Sequence, residues 1–210
     1  IERINKIELK NVSFSYPEGK NALSNINLTL QKGDKIAVVG KNGSGKTTLS
    51  KILLGLYRPE NGEVFYNGIS QSKILTESFK EKETAIFQNF CRYKISLEDN
   101  VCISNTKEEK NYNRIKNSLI YAGFENTDGL KTILSKEFGG TDFSGGQWQR
   151  TAIARGVYRN YDFIVLDEPT AAIDPIAEND MYERFSELGN DGIFFVVTHR
   201  LASVKYCNKI

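Results

Sequence analysis

Ile36-Ala37-Val38-Val39-Gly40-Lys41-Asn42-Gly43-Ser44-Gly45-Lys46-Thr47-Thr48 is the stretch on which the reading of this chain turns. Four apolar residues without a polar break read as a strand buried on both faces, the habit of a parallel sheet covered by helices. Residues 40–47 match G-x-x-x-x-G-K-[ST], a loop that cradles phosphates. Its glycines let backbone N–H groups converge on phosphate oxygens without Cβ clashes. A helix opening near Lys46 adds the positive end of its dipole. Lys46 supplies a mobile ammonium for β- and γ-phosphates, and the Thr47 hydroxyl can ligate Mg²⁺. Leu49, Ile52, Leu53 and Leu56 give the following helix an apolar face, and Pro59 is expected to end it. Residue frequencies put a chance match at roughly 1% for a chain this long.

Upstream, Ile7 and Leu9, then Val12, Phe14 and Tyr16, alternate with polar residues as a half-buried antiparallel strand does. Pro17 and Gly19 turn the chain, and Ile26, Leu28 and Leu30 resume the alternation. Downstream, Thr106 and Glu109 read as a capping box for a helix with the stripe Tyr112, Ile115, Leu119, Ala122, ending at Gly123. A second helix is expected from just after Ser144 to about Tyr158. Buried-strand patterns return at residues 163–166 and 193–197. The expected fold class is α/β. A parallel sheet carries the phosphate loop at one strand's C-terminal edge, an antiparallel portion lies in front, and a mostly helical insert spans about 90–160.

Phe163-Ile164-Val165-Leu166-Asp167-Glu168 is an apolar strand ending in two carboxylates. With a phosphate loop in the same chain, Asp167 is assigned to the Mg²⁺ shell. Glu168 is assigned to take a proton from the attacking water, a task worth about 10²–10⁴ in rate. Ser144-Gly145-Gly146-Gln147, continued by Trp148-Gln149-Arg150, places a Ser N-cap and two glycines at a helix start, a second place where an anion could sit.

Composition narrows the options. The 210 residues are 40% hydrophobic and 26% charged, with 28 Lys plus Arg against 26 Asp plus Glu. A net charge of +2 lacks the basic excess of a dedicated nucleic-acid binder. The longest apolar run, Ile193–Val197, has five residues, against about 20 for a membrane-spanning helix. Cys91, Cys102 and Cys207 show no C-x-x-C spacing, which argues for reduced thiols rather than a disulfide framework or zinc site. No basic segment followed by an apolar core opens the sequence, so no signal peptide is expected. The chain opens at Ile1 rather than Met and stops at Ile210 after an apolar-rich segment, as a piece of something longer would.

Taken together, these motifs resemble the nucleotide-binding domain of ABC transporters, over essentially the whole chain. Phe143 to Gln147 is similar to the family's signature motif, with Phe143 where Leu is usual. Residues 40–48 match its Walker A and residues 163–168 its Walker B. Gln88, after Ala85-Ile86-Phe87, stands where the family has its Q-loop glutamine. Ala171-Ala172-Ile173-Asp174 resembles the D-loop, with Ala171 in place of the more frequent Ser. His199 matches the switch histidine, and Tyr16 stands where an aromatic stacks on adenine.

The resemblance implies a P-loop NTPase with a RecA/F1-like core and an N-terminal antiparallel β subdomain, over about 1–88 and 160–210. It also implies a helical signature subdomain over about 89–159, and a C-terminal part and a transmembrane domain that are absent here. Lys46, Glu168, Gln88 and His199 would be catalytic; Thr47, Gln88 and Asp167 would hold Mg²⁺. Tyr16, Gly40, Asn42, Gly43, Ser44, Gly45, Lys46, Thr47 and Thr48 would bind ATP. Ser144, Gly145, Gly146 and Gln147 would complete the site of a second copy packed head to tail. His199 would hydrogen-bond the γ-phosphate, and Gln88 would sense Mg²⁺ and the attacking water.

The implied partners are a second such domain and a transmembrane domain fused upstream, with no nucleic acid, at the cytoplasmic face of the cell membrane. The run from His199 through Arg200-Leu201-Ala202-Ser203-Val204, with Glu137-Phe138-Gly139-Gly140, is similar to exporters. Residues 146–150 are similar to bacterial exporters of peptides and bacteriocins, with the multidrug type close by. The basic and aromatic residues Arg92, Tyr93 and Lys94 are either a face toward the membrane domain or a plain solvated loop. Two other readings stand beside this one. An ABC-type ATPase of DNA repair or translation would need long insertions or tandem cassettes; an ATP switch with little hydrolysis would not need Lys46, Asp167, Glu168 and His199 together.

Overall fold

The structure is a computed structural model that describes all residues except 1, 126, 128, 171, 172, 189, 190 and 200–203, and no side chains at 175–177 and 186. The chain divides into two compact units, one of Ile1–Thr84, Tyr161–Glu168 and Phe185–Ile210, the other of Ala85–Asn160 and Pro169–Arg184.

The first unit carries β1 (Lys6–Ser15), β2 (Asn21–Gln31), β3 (Lys35–Val38), α1 (Lys46–Leu53), β4 (Asn61–Tyr66), β5 (Ile69–Ser70), α2 (Thr76–Lys80) and the start of β6 (Glu83–Phe87). An antiparallel sheet runs in the order β2-β1-β4-β5. The alternation in β1 changes phase between Leu9 and Val12, and the ladder to β2 shifts register there. Asn11 causes the shift. It takes the left-handed conformation, φ 52, and its N–H donates sideways to Asn27 Oδ1 at 3.0 Å. A bulge of this kind lets one buried face continue with an extra residue. Ile7, Leu9, Val12, Leu30, Val64 and Tyr66 accordingly all lie in the core.

The second unit carries α3 (Leu97–Cys102), α4 (Tyr112–Tyr121) and α5 (Gly145–Tyr158); β7 (Phe163–Asp167) then returns to the first unit. Next, α6 (Pro175–Leu188) begins in the second unit, and β8 (Ile193–Val197) lies in the first. Neither β4 nor α6 was anticipated, because neither has a strong hydrophobic period. The strand expectations at 163–166 and 193–197 hold, and every residue of β7 and β8 is buried.

Two helix boundaries differ from the sequence reading. Helix α1 ends at Leu53, not at Pro59. Gly55, at φ 62, donates to Ile52 O at 2.9 Å while Leu56 N–H reaches Lys51 O at 2.8 Å. This pair of bonds is a Schellman close. A Cβ at Gly55 would come within 2.6 Å of the Phe79 ring, so packing fixes the stop there and leaves Leu56 exposed. Helix α4 begins at Tyr112 rather than near Thr106. Its cap is Asn111, whose side chain accepts from Arg114 N–H at 3.0 Å. An Asn next to the first periodic residue outcompetes a Thr-x-x-Glu set several residues away. Gly123 closes α4 as expected, at φ 83, with Phe124 N–H on Leu119 O at 3.0 Å.

The core of the first unit positions the chemistry. In the parallel pairing of β3, β8 and β7, Val38 and Asp167 both stand in register with Val197. The strand ends are therefore level, and the segments leaving them emerge along one edge: the loop beginning at Gly40, then Thr198 and His199, then Glu168.

Candidate active site

Gly45 opens α1 at φ 92 with no side chain capping the helix. A Cβ at Gly45 would stand 2.4 Å from the Ala22 carbonyl oxygen, so both conformation and space require glycine. The first-turn N–H groups thus point toward the loop without a side-chain acceptor, which is the state that suits an anion. Asn42, Gly43 and Ser44 are exposed around the mouth of this loop. Lys46 is only 9% exposed. Its ammonium donates to Gly40 O at 2.8 Å and to Lys41 O at 3.0 Å. Both acceptors are neutral loop carbonyls, so a phosphate oxygen would be a stronger partner for the same cation.

Thr47, exposed beside Lys46, carries a hydroxyl close enough to Asp167 to favour that residue's ionised carboxyl. Burial pushes the Asp167 carboxyl above the usual carboxylate range; the Thr47 hydroxyl lowers it, the Glu168 charge raises it and the Lys46 charge lowers it. A cation at the carboxylate would remove that burial cost. A hydroxyl and a carboxylate, both hard oxygens, are donors that fit Mg²⁺, which takes one or two protein ligands and completes its shell with phosphate and water. Among the described residues there is no cluster of three or more His, Cys, Asp or Glu suited to a metal. The donor set therefore matches a nucleotide-borne cation rather than a caged one.

Glu168 is held at φ 51, with its N–H on Val197 O at 3.0 Å. The other described non-glycine residues with positive φ are all Asn, which tolerates that region; Glu does not, so strain sits at this carboxylate. Glu168 Oε1 lies 3.1 Å from His199 Nδ1. A carboxylate can only accept, so the pair keeps its proton on Nδ1. Nε2 then accepts when the ring is neutral, and serving Glu168 and a phosphate oxygen together takes the imidazolium.

Tyr16 follows β1 and is half-buried. Its ring meets Phe14 edge-on at 5.3 Å and Tyr57 at 6.1 Å, and its hydroxyl stands 2.9 Å from Thr48 Oγ1. That bond engages the Thr48 side chain, which leaves its backbone to the loop. Sequence reasoning missed this link and Tyr57's place in the cluster, since nothing in the spacing signals either one.

The remaining site residues lie in the second unit. Gln88 is exposed at a bend just past β6. At the start of α5, Ser144 and Gln147 form a reciprocal capping box: Gln147 N–H donates to Ser144 Oγ at 3.3 Å, and Ser144 N–H to Gln147 Oε1 at 2.9 Å. The open anion site expected here is thus partly self-satisfied, with the Gly145 and Gly146 amides left over. Ser144, Gly145 and Gln147 are exposed, while Phe143 is packed between Phe124 and Trp148 at 6.1 and 6.0 Å. Gln149, 1% exposed, donates to the Pro169 carbonyl at 2.5 Å, a contact the sequence did not suggest. Ala171, Ala172 and residues 200–203, which carry the first half of the D-loop and part of the exporter-like run, lie outside the described residues, while Ile173 of the D-loop is buried and Asp174 exposed.

A parallel sheet, an uncapped glycine-bounded helix with a buried lysine, and two carboxylates level with it define a P-loop nucleoside triphosphatase. The ABC transporter family profile matches residues 23–171. The chain is 36% identical to the subtilin transport ATP-binding protein SpaT of Bacillus subtilis, covering 100% of this chain and 35% of that protein. It is 35% identical to the nisin transport ATP-binding protein NisT of Lactococcus lactis subsp. lactis, covering 100% of this chain and 36% of that one. A bacterial Atm1-family ABC exporter with ATP bound has the same fold, with a TM-score of 0.85 at 21% identity over 97% of this chain and 36% of that chain. This chain belongs to the ABC transporter family, whose ATP-binding domains hydrolyse ATP to power transport. It spans about a third of the length of the curated relatives it matches. Among the described residues, no helix is long and apolar enough to cross a membrane.

Proposed function

We propose that this chain is the ATP-hydrolysing motor domain of an exporter. The observation that carries the reading is the Glu168–His199 pair at 3.1 Å, one residue from the Thr47–Asp167 pair and on the edge where α1 opens. Lys46 and the amides of residues 40–48 bind the phosphates, and Tyr16 stacks on adenine. Thr47 and Asp167 would hold Mg²⁺, a role the family resemblance extends to Gln88, and the cation when bound would neutralise charge on the phosphate oxygens. Glu168 takes the proton of the attacking water, with His199 fixing the carboxylate's orientation. Gln88 senses the cation and the water.

The first unit serves as the RecA-like core with its antiparallel β portion, and the helices of the second as the signature subdomain. Two copies close head to tail, so that Ser144, Gly145, Gly146 and Gln147 of one complete the site of the other. A transmembrane domain joined upstream would place the chain at the cytoplasmic face of the cell membrane. Relatives named for subtilin and nisin transport support a cargo of that kind. Steady-state ATPase measurements on Glu168→Gln test the assignment: turnover falls by about 10²-fold or more while ATP is retained. Unchanged turnover removes Glu168 from its role.

A further inference from the structure

Phe14, Tyr16 and Tyr57 form an aromatic cluster that the first unit does not close over. Each of the three is only half-buried. Other rings of the same unit are fully enclosed: Tyr66 and Phe79 are at most 1% exposed and stack on each other at 4.9 Å. Aromatic surface left open in this way is surface that a flat ligand can cover.

The rings divide into a pair and a third member. Phe14 and Tyr57 are stacked, 5.1 Å apart with 10° between their planes. Tyr16 stands across that pair at 85° and 89°, 5.3 Å from Phe14 and 6.1 Å from Tyr57. Phe14 lies in β1, two residues before Tyr16, and moves with it. Tyr57 comes instead from the segment leaving α1. Its N–H donates to Lys51 O at 3.2 Å, and its hydroxyl accepts from Lys51 Nζ at 3.3 Å. Both bonds fasten it to the helix whose other end carries the phosphate loop. A ring held independently of β1 can fix Tyr16 against the rest of the site. Ordering a platform before the ligand arrives lowers the entropy lost on binding.

We propose that Tyr57 is a positioning residue for the nucleobase: without touching the ligand, it sets the tilt of Tyr16, the ring assigned above to adenine. The inference rests on that assignment and deepens it. Tyr57 lies outside the phosphate loop, so loss of its ring weakens ligands that carry a base and spares those that carry phosphates alone.

Calorimetric titration with Mg-ATP and with magnesium tripolyphosphate, which has the phosphates and no base, separates the two halves of the site. Tyr57→Leu keeps apolar bulk and loses the ring. It should weaken ATP by about two- to tenfold, the range of one aromatic pair, and raise KM rather than lower kcat. Its tripolyphosphate affinity should match that of the wild type, which also reports that the variant is folded. Tyr57→Phe keeps both ring contacts and should bind ATP as the wild type does. Adding Tyr57→Leu to Tyr16→Leu should cost nothing further, because Tyr57 acts through Tyr16. Unchanged ATP affinity in Tyr57→Leu, equal losses for ATP and tripolyphosphate, additive losses in the double variant, or a Tyr57→Phe as weak as Tyr57→Leu would overturn the positioning role. Wild-type protein that bound tripolyphosphate as tightly as ATP would instead overturn the assignment of Tyr16 to the base, and uptake of neither ligand would overturn the nucleotide site itself.

Discussion

His199 Nδ1 stands 3.1 Å from Glu168 Oε1, on a residue whose backbone is held at φ 51. The contact crosses from the end of β8 to the end of β7, and it exists because Asp167 and Val197 are in register. One carboxylate is thereby oriented by a ring that itself is 53% exposed and open to a ligand. His199→Ala should lower turnover by about 10²-fold through loss of that orientation, with KM for ATP little changed. A KM that rises as steeply as kcat falls would place His199 in binding instead.

The strained backbone at Glu168 makes a separate forecast about stability. Glu168→Gln and Glu168→Asn both remove the base, but Asn tolerates the left-handed region and Gln does not. The Asn variant should therefore be the more stable by about 1 kcal/mol, or about 2–4 °C in melting temperature for a chain of this size. Equal melting points would show that the strain is relieved elsewhere.

Asp167 ties acidity to cation binding. Its folded-state carboxyl lies above the usual carboxylate range, chiefly through burial. The free fold therefore holds this proton more tightly than the unfolded chain does. Its contribution is most favourable below the ordinary carboxylate range and is lost as pH rises through the raised value. Mg²⁺ needs the ionised form, so Mg-ATP affinity should fall with acidification through that same window. Asp167→Asn should flatten the pH dependence of stability while removing the magnesium dependence of nucleotide uptake. A variant whose uptake still responds to magnesium would contradict the assignment.

At the start of α5, Ser144→Ala removes one side of the capping box and should cost about 1 kcal/mol of stability. If the loop acts on a second copy, ATP-driven pairing should be lost as well, which sedimentation in Mg-ATP would detect. Restored pairing in Ser144→Thr, which keeps the cap, would show the hydroxyl itself to be the active group. Loss of the cap energy with pairing intact would confine Ser144 to a structural role.

Much of this site was legible in the sequence, for a physical reason. Phosphate binding by backbone amides demands glycine where φ is positive or a Cβ would collide, and Gly45 meets both conditions. Buried parallel strands demand unbroken apolar runs, so β3, β7 and β8 announce themselves. The boundaries were less legible because tertiary packing decides them. The Phe79 ring beside Gly55 stops α1 before Pro59, and Asn111 claims the cap that Thr106 was assigned. The capping box at Ser144 was half legible: the Ser N-cap was read, but Gln147's return bond was not. Least legible was the Tyr16–Thr48 bond, whose partners lie 32 residues apart. No local pattern encodes which of its possible hydrogen-bond partners a buried threonine selects.

We assign triphosphate binding to the amides opening α1 together with the Lys46 ammonium. Equilibrium titration of the protein with ATP in magnesium buffer, beside Lys46→Ala, decides that assignment. The wild type should bind, and the variant should lose about tenfold or more in affinity as one charge-assisted hydrogen-bonding cation disappears. Uptake by Lys46→Ala equal to that of the wild type, or no uptake by either, would contradict it.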